Sequence, residues 1–465
     1  MNLTTDGATI AGRLADFASG LRRDSVPREI FDKSKLLLLD MVGAALASAT
    51  FDFGRCAVAG LPALGGGTST VIGFREKLAL RDAVLANGIL VHGLDYDDTS
   101  IYGRVHPSGS CGTTALGVAS EFGVSGTELL LSYIAALECT VRLGAVVKGG
   151  FQQRGFHPTG VVGTFGAAIA AGRLLGLTSR ELAMAQGIAL SMASGSQEFA
   201  TEGAWTKRLH PGWAGVGGIT AAALAKGGFI GPRLAYEGKR GLYTLYLADL
   251  AKQCDLGLAT DRLGTDWQIG TIAHKPLPAC YFNVPTIDAA VRLAKQYQLR
   301  APDIAQVKAL LPQAAVQLVC EPKNAKRRPH DSYAAQFSIY FTTAVALIRR
   351  RFTLDDLDDA ALRDSEILSL ADRVEYAVDD KTTFPKFYSG AVVVTTRDGR
   401  VLEAREDMNR GAPERPLSEA EVIAKFTDAA ERIFAPAKAA RLAETILAID
   451  KLDDVAALTQ QLGRE

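Results

Sequence analysis

Residues 92–109 read HGLDYDDTSIYGRVHPSG, and the rest of the chain is organised around them. The stretch holds three aspartates (Asp95, Asp97 and Asp98), two histidines and an arginine. The segments on either side are apolar and rich in small residues, which is typical of buried helices. Charge placed between core-forming segments usually lies in a cleft and has a function there. The sequence therefore favours a functional loop over a solvated loop whose aspartates only cap helices.

Composition excludes several classes of protein. The 465 residues are 48% apolar and 22% charged, which is enough for a large core and two or three domains. Lysine plus arginine and aspartate plus glutamate both number 51, and this balance argues against a nucleic-acid or anionic-membrane partner. The amino terminus lacks a secretory pattern, and the longest apolar run, residues 36–47, is too short to cross a bilayer. With six scattered cysteines and no CxxC pair, we predict a cytoplasmic protein with reduced thiols.

Hydrophobic spacing predicts a mainly α fold with two parts. Residues 8–48 and most of 80–250 have helical periodicity with many alanines and glycines. Near residue 270 the pattern changes to shorter alternating runs, and residues 391–403 predict a hairpin with an Asp398-Gly399 turn. We therefore predict a large all-helical domain (1–268), a smaller α+β domain (269–408), and C-terminal helices (409–465) that return to the helical domain.

Three of the six histidines are followed by proline: His106, His157 and His210. A residue before proline is pushed out of helical geometry, and proline suits the first turn of a helix. Each histidine is therefore expected at a helix amino end, where free N–H groups favour an anion. A single His-Pro is more simply a helix-entry device, but three of them favour a carboxylate- or phosphate-binding site.

Cations accompany these histidines, which favours a small polyanionic substrate. Arg104 precedes His106, Lys207 and Arg208 precede His210, and Lys275 follows His274. Arg154 precedes His157, where a surface ion pair is an equal alternative.

The sequence contains no pattern typical of a metal or cofactor site. Asp95, Asp97 and Asp98 with His92 or His106 offer ligands for a divalent ion, but no metal-site spacing such as HExxH occurs and cations surround the stretch, so we predict no metal. GxSxG and a GxGxxG in strand–helix context are also absent, so we predict no cofactor. Acids, histidines and lysines then suggest proton removal next to a carboxylate, the first half of dehydration, decarboxylation and epimerisation.

The chain resembles the MmgE/PrpD family. The matching pieces are ANGILVHGLDYDDT (86–99), HPSG (106–109), GFHPTG (155–160), TKRLHPG (206–212), HKPLPAC (274–280), FSIY (337–340) and DGRVLEAREDMNRGAPERPLSEAEVIAKF (398–426). This family includes 2-methylcitrate dehydratase, cis-aconitate decarboxylase and iminodisuccinate epimerase, which are cofactor-free enzymes of di- and tricarboxylates. The resemblance implies a large helical domain, an α+β lid domain, a cleft between them and a homodimer.

The resemblance also implies roles for individual residues. It places catalytic groups at Asp95, His106, His157, Lys207 and Lys275, and substrate contacts at Thr99, Arg104, His210, Ser338 and Tyr340. The lysines would hold or polarise carboxylates, the histidines at 106 and 157 would exchange protons, and Asp95 would orient one of them. Asp97 and Asp98 are expected to do no more than fix the turn.

Four positions depart from the pattern of the family. Cys280 stands where the decarboxylases tend to have histidine, Tyr281 and Val284 stand where many members have arginine and histidine, and Phe341 lies beside a displaced Tyr340. We therefore predict a cofactor-free lyase or isomerase nearest to 2-methylcitrate dehydratase. An epimerase or decarboxylase is the alternative within enzymes, and a non-catalytic binder of organic acids is the alternative outside them.

Overall fold

The computed structural model describes residues 9–464, and the chain divides into two compact units. The helical unit contains the described part of Met1–Gly93, then Asp97–His274 and Ser418–Glu465 without its last residue. The mixed unit contains Leu94–Tyr96 and Lys275–Leu417. The predicted fold class, mainly α with a smaller α+β part, is confirmed. The domain boundaries at 268 and 408 stay predictions, and the assignment of Leu94–Tyr96 to the mixed unit was not anticipated.

Twelve helices and two short strand pairs precede residue 275 within the described chain. The helices are α1 (Ile10–Gly20), α2 (Arg28–Ser48), α3 (Asp52–Gly60), α4 (Leu80–His92), α5 (Ser108–Glu121), α6 (Gly126–Ala145), α7 (Gly150–Gln153), α8 (Pro158–Leu174), α9 (Ser179–Ala189), α10 (Phe199–Glu202), α11 (Thr206–Lys226) and α12 (Leu242–Leu247). Antiparallel pairs join β1 (Ser69–Thr70) to β2 (Lys77–Leu78) and β3 (Thr99–Ser100) to β4 (Ile272–Ala273). The helix predicted from residue 8 is observed from Ile10, and residue 8 lies outside the described residues.

Helix α8 is the centre of the helical unit. Every residue from Pro158 to Gly172 is buried, and the helix packs against α5, α6, α9 and α11. Small side chains allow these backbones to approach closely. A Cβ atom at Gly218 would lie 2.4 Å from that of Ala167, and one at Gly212 would lie 2.3 Å from the carbonyl oxygen of Leu85. Glycine is therefore required at these crossings, because any side chain would separate the helices.

A buried ion pair fixes the long irregular segment that follows α12. Arg142 Nε donates to Glu138 Oε1 at 2.6 Å, and the guanidinium also donates to the carbonyl of Asp261 at 2.7 Å. Glu138 accepts hydrogen bonds from the backbone N–H groups of Gln268 and Ile269, each at 3.0 Å. These bonds hold residues 261–269 against α6 and so position β4 next to β3.

The mixed unit is built on a four-stranded sheet of order β6-β5-β7-β8. Its strands are β5 (Ile304–Leu311), β6 (Val374–Val378), β7 (Gly390–Thr396) and β8 (Val401–Glu406), and its helices are α13 (Val284–Gln296), α14 (Lys323–Arg327), α15 (Ser332–Gln336), α16 (Ile339–Arg349), α17 (Asp359–Leu362) and α18 (Ser365–Ala371). Strand β5 pairs parallel with β6 and antiparallel with β7, and β7 and β8 form the predicted hairpin. Gly399 in its turn has φ +88°, which glycine adopts without strain. The helix predicted over 334–349 is interrupted, because Ser338 caps the start of α16.

The C-terminal helices belong to the helical unit. They are α19 (Glu419–Ala430), α20 (Pro436–Leu447) and α21 (Ala456–Thr459). Helix α19 packs against α2, where Lys425 Nζ lies 2.6 Å from Asp40 Oδ1 and both side chains are buried. Among residues 9–464, no single helix has the length and apolarity of a membrane crossing; Arg28–Ser48 and Asp52–Leu64 reach them only as a pair bent by 90°.

Candidate active site

Four histidine rings from four different elements converge in the helical unit. His92 ends α4, His106 lies two residues before α5, His157 is the N-cap of α8, and His210 lies in α11. The ring centroids of His92 and His106 are 4.8 Å apart, those of His92 and His157 are 5.5 Å apart, and those of His157 and His210 are 5.1 Å apart. The sequence predicted three of the four as site residues and brought His92 in only as an alternative metal ligand.

The helix-entry prediction is wrong for His210. Helix α11 begins at Thr206, so His210 and Pro211 lie inside it. Proline cannot donate the backbone hydrogen bond to the residue four positions earlier, and α11 continues with that bond missing. The helical spacing instead places Lys207 and His210 on one face, three residues apart. Lys207 is buried there. Burial is the main cause that lowers the pKa of His210 to about 4, and His92 and Lys207 add to it.

Asp97 orients His92. Its Oδ2 lies 2.8 Å from His92 Nδ1, and both side chains are fully buried. Burial would raise the pKa of Asp97, but His92 and His106 outweigh it and hold that pKa well below the usual range. Burial lowers the pKa of His92 to about 4, against the opposing effect of Asp97. At neutral pH an uncharged His92 therefore donates from Nδ1 to an ionised Asp97, and its Nε2 keeps the lone pair.

His92 Nε2 is buried and has no hydrogen-bond partner within residues 9–464. The expectation that Asp97 only fixes the turn is therefore wrong, because its carboxylate sets the tautomer of a buried base. Sequence reasoning gave His92 and Asp97 too little weight. The only signal was an aspartate five residues after a histidine at a helix end.

His106 is oriented by a backbone carbonyl. Its Nδ1 lies 2.9 Å from the carbonyl oxygen of Asp98 and 3.5 Å from Asp97 Oδ1. A carbonyl oxygen only accepts, so Nδ1 carries a proton, and Nε2 is the ring nitrogen left for proton exchange. The backbone N–H of His106 also donates to Thr159 Oγ1 at 3.1 Å, which links the loop to the first turn of α8.

Asp98 anchors the same loop to α5. Its carboxylate accepts from the backbone N–H of Ser108 at 3.3 Å and from the Ser108 hydroxyl at 2.7 Å. Burial, reinforced by Asp97, raises the pKa of Asp98 well above its usual range, although these bonds oppose the shift. The predicted turn-fixing role suits Asp98, which positions the carbonyl that orients His106.

His157 and His210 contact each other directly. Their Nδ1 atoms lie 2.9 Å apart. Burial is the main cause that lowers the pKa of His157 well below its usual value, and His92 and Lys207 add to it. Both imidazoles are therefore uncharged at neutral pH, beside a buried cation.

Arg208 holds α11 next to the loop. Its Nε donates to the carbonyl of Gly93 at 2.7 Å, and its guanidinium lies 3.8 Å from the ring centroid of Phe53. A planar guanidinium makes both contacts at once, which an ammonium cannot do. Sequence reasoning named Arg208 only as a neighbouring cation and missed this positioning role.

Two predicted catalytic residues belong to the mixed unit. Lys275 Nζ lies 2.9 Å from Asp95 Oδ2 and also donates to the backbone carbonyl of Asp95. Both side chains are buried. Gln336 Nε2 donates to the carbonyl of Leu94, which fixes the segment that carries Asp95. The pair is thus a cation and a carboxylate held together out of water, and the orienting role given to Asp95 stays a prediction.

The predicted substrate contacts differ in burial and in their hydrogen bonds. Thr99 lies in β3 and its hydroxyl donates to the carbonyl of Val105 at 3.4 Å, whereas Arg104 is exposed. Ser338 caps α16, accepting from the backbone N–H of Phe341 at 3.0 Å. The hydroxyl of Tyr340 donates to the carbonyl of Cys320 at 3.1 Å. Ser338 and Tyr340 thus have structural bonds in the mixed unit, and their contact with substrate stays a prediction.

The departures from the family pattern lie near the start of α13, apart from Phe341. The Cys280 N–H donates to the carbonyl of Gln336 at 2.9 Å, and the Tyr281 hydroxyl donates to the carbonyl of Arg410 at 3.0 Å. Val284 begins α13 and Phe341 is fully buried. These residues therefore have packing and backbone-binding roles in the mixed unit.

A metal ion would find candidate ligands in the helical unit. One ligand atom each from His92, Asp97 and His106 lies within 4.8 Å of the others. Two imidazoles and a carboxylate are a known set for divalent transition metals. However, the Nδ1 of His92 is bonded to Asp97 and that of His106 to a carbonyl, so these atoms serve the hydrogen-bond network. The absence of a required metal stays a prediction.

Known proteins resemble this chain over almost its whole length. A family model of the MmgE/PrpD N-terminal domain matches residues 12–254, and one of the MmgE/PrpD C-terminal domain matches residues 277–451. The cis-aconitate decarboxylase-like protein oryM of Aspergillus oryzae is 25% identical, with 99% of each chain covered. The cis-aconitate decarboxylase of Homo sapiens is 26% identical, covering 98% of this chain and 94% of its own. That of Aspergillus terreus is 24% identical, covering 98% and 96%.

Proposed function

Because the chain belongs to the MmgE/PrpD family, we propose that it is a lyase that acts on a small di- or tricarboxylate. The decarboxylase relatives support the lyase class, since decarboxylases are lyases. The reaction begins with proton transfer at the carbon next to a carboxylate. No cofactor is required by this proposal, because side chains alone supply the base, the acid and the cation.

The observation that carries the proposal is the cluster of four imidazoles, of which His92, His157 and His210 are buried and His106 is partly exposed. Burial lowers the pKa of His92 and of His210 to about 4, so at neutral pH these rings are uncharged and able to accept a proton. Asp97 and the carbonyl of Asp98 fix two of the tautomers with Nε2 as the basic atom. A group acts as a general base only when it is unprotonated and correctly oriented, and His92 meets both conditions.

Lys207 supplies the positive charge. Removing a proton next to a carboxylate places a second negative charge on the substrate, and a buried ammonium stabilises that charge more strongly than one in water does. Lys207 is buried on the same face of α11 as His210. We assign it the substrate carboxylate, and we assign proton transfer to His106 and His157.

Dehydration of the 2-methylcitrate type is the first reaction proposed. A histidine removes the proton next to a carboxylate, the neighbouring carbon loses its hydroxyl as water with a proton from a second group, and a C=C bond forms. Cys280, standing where decarboxylases of the family tend to have histidine, favours this reaction.

Decarboxylation is the second candidate, favoured by the relatives named as cis-aconitate decarboxylases or as similar to them, which match almost the whole chain. A C–C bond would break, CO₂ would leave with its carbon, and the carbanion left behind would take a proton from the cluster. We further propose that the protein is a homodimer, as the resemblance implies, and that it is cytoplasmic, with no nucleic-acid or membrane partner, as its composition indicates.

The test is incubation in D₂O with citrate, 2-methylcitrate, cis-aconitate, malate and iminodisuccinate, followed by NMR. New vinyl signals indicate dehydration, release of CO₂ indicates decarboxylation, and deuterium uptake without net conversion indicates epimerisation. His157→Gln and Lys207→Met should each lower turnover by at least about 100-fold, since positioned proton transfer contributes about 10²–10⁴-fold. His330→Gln, at an exposed position of the mixed unit, is the matched control. If no acid turns over but one raises the melting temperature, the protein is a binder and the proposal is wrong.

A further inference from the structure

We propose that His157 and His210 share a single proton between their Nδ1 atoms, and that His210 is a positioning residue that sets the tautomer of His157. The family resemblance implies a different role for His210, that of a substrate contact. The catalytic part of this inference rests on the proposed function, because it concerns the same cluster. The hydrogen-bond part rests on geometry alone.

The two Nδ1 atoms lie 2.9 Å apart, a distance at which a single proton lies between them. Two N–H groups facing each other at this distance would clash, and two lone pairs would repel and leave two buried nitrogens unsatisfied. One ring must therefore donate and the other accept. Both histidines are buried, which limits competition from water for the shared proton.

This arrangement fixes the opposite end of each ring. In a neutral imidazole only one nitrogen is protonated, so the ring that donates from Nδ1 has a lone pair at Nε2. The ring that accepts at Nδ1 must have its proton at Nε2. The pair therefore offers one base and one acid at its two outer nitrogens, whichever ring is the donor. The tautomer that His210 imposes therefore decides whether His157 Nε2 acts as a base or as an acid.

Neighbouring residues hold the rings of His157 and His210 in position. The backbone N–H of His157 donates to the carbonyl of Gly195 at 2.8 Å, and its ring stacks on His92 at an interplanar angle of 23°. The ring of Phe199 lies 5.9 Å from each member of the pair. A Cβ atom built at Gly160 would lie 3.1 Å from His210 Cβ, so the helix start leaves little space for His210 to turn away.

The direct test is NMR of the full-length protein labelled with ¹⁵N-histidine. The six histidines give few signals, and single His→Gln variants assign them. We expect one member of the pair as the Nδ1–H tautomer, the other as the Nε2–H tautomer, and a scalar coupling between the two Nδ1 nuclei. Equal tautomers with no coupling would overturn the inference. Exposed His330 serves as the reference for a ring in water.

Variants at position 210 separate positioning from substrate contact. In His210→Leu the tautomer of His157 should become mixed, and kcat should fall at least about tenfold with little change in KM. His210→Asn places an amide atom where Nδ1 stood, and it should restore a single tautomer and most of kcat. A rise in KM with kcat unchanged in His210→Leu would make His210 a substrate contact and refute the inference. Since the coupling is measured without turnover, an inactive protein that shows it contradicts only the proposed function.

Discussion

Replacing His274 with glutamine is expected to make the helical unit less sensitive to acid. His274 is 6% exposed, and its Nε2 has no hydrogen-bond partner within residues 9–464. Burial lowers the pKa of His274 to about 4; Asp40 opposes this shift, and Lys425 and Lys33 add to it. The unfolded chain, in which histidine has its ordinary pKa of about 6.5, therefore binds a proton that the folded chain refuses.

This difference in pKa sets the direction and the size of the change in unfolding free energy with pH. Because the folded pKa is lowered, the stability is intact above about pH 6.5 and is lost as the pH falls towards 4. The full difference corresponds to roughly 3 kcal/mol, since one pKa unit is about 1.4 kcal/mol. At about pH 5 the unfolded state binds about 0.9 proton more than the folded state at this one site, a slope of about 1.2 kcal/mol per pH unit.

Urea unfolding followed by tryptophan fluorescence measures this slope. Trp205, Trp213 and Trp267 are the only tryptophans, and all lie in the helical unit, so the signal reports the unfolding of that unit. His274→Gln should reduce the slope of the unfolding free energy near pH 5 by about 1.2 kcal/mol per unit. Any packing cost of glutamine is a constant offset, which cancels when slopes are compared.

The matched control is His330→Gln. This side chain is 74% exposed in the folded chain, so unfolding changes its surroundings little and the slope should equal that of the native protein. If His274→Gln has the same slope as the native protein, then burial does not keep His274 uncharged and the reasoning is wrong.

Three other substitutions test the site and its support. Asp97→Asn removes the charge that orients His92 and should lower kcat at least about 100-fold while the far-ultraviolet circular dichroism stays native; an unchanged kcat would remove Asp97 from the mechanism. Arg208→Lys loses the Nε hydrogen bond and should lower the unfolding free energy by about 1.5–3 kcal/mol in urea, so no loss would contradict its positioning role. Gly212→Ala places a Cβ 2.3 Å from a backbone oxygen and should lower that energy by about 1–3 kcal/mol, whereas Gly20→Ala, where nothing lies within 4 Å, should not; equal effects would argue against the close crossing.

The general fold was predictable because its signals are local. Helical periodicity and small residues over 80–250 predicted the helical unit, and Asp398-Gly399 predicted the hairpin of β7 and β8. Turn chemistry and hydrophobic spacing act within a few residues, so a single sequence contains them. The strands β3 and β4 were not predicted, since each is two residues long and pairs with a distant segment.

The error at His210 has a different cause. The preference of proline for the first turn of a helix is a local one. In α11 it is outweighed by the packing of the helix along α4 and α8. The same packing explains why Lys207 and His210 share a face, which the predicted helix start would have separated. Burial against neighbouring helices thus outweighs one missing backbone hydrogen bond.

The pairing of His92 with Asp97 could not be read from spacing. Four residues lie between them, and three of these four, Leu94–Tyr96, belong to the mixed unit. Only this excursion of the chain returns Asp97 to the end of α4, where its carboxylate meets the imidazole. The unit to which a residue belongs depends on tertiary contacts, so no local sequence pattern in residues 92–109 predicts it.

The ion pair between Asp40 and Lys425 has a consequence for the order in which the two units fold while the chain is made on the ribosome. Asp40 emerges early, but its cation and the helix that covers it, α19, emerge only after all of Lys275–Leu417 has been made. The mixed unit can therefore complete its sheet before the helical unit closes. A fragment ending between the two family matches would leave a buried carboxylate without its cation, a loss of about 3–5 kcal/mol. The gap between residues 254 and 277 thus separates the N-terminal and C-terminal domain matches of one family, but it is a poor place to cut the chain.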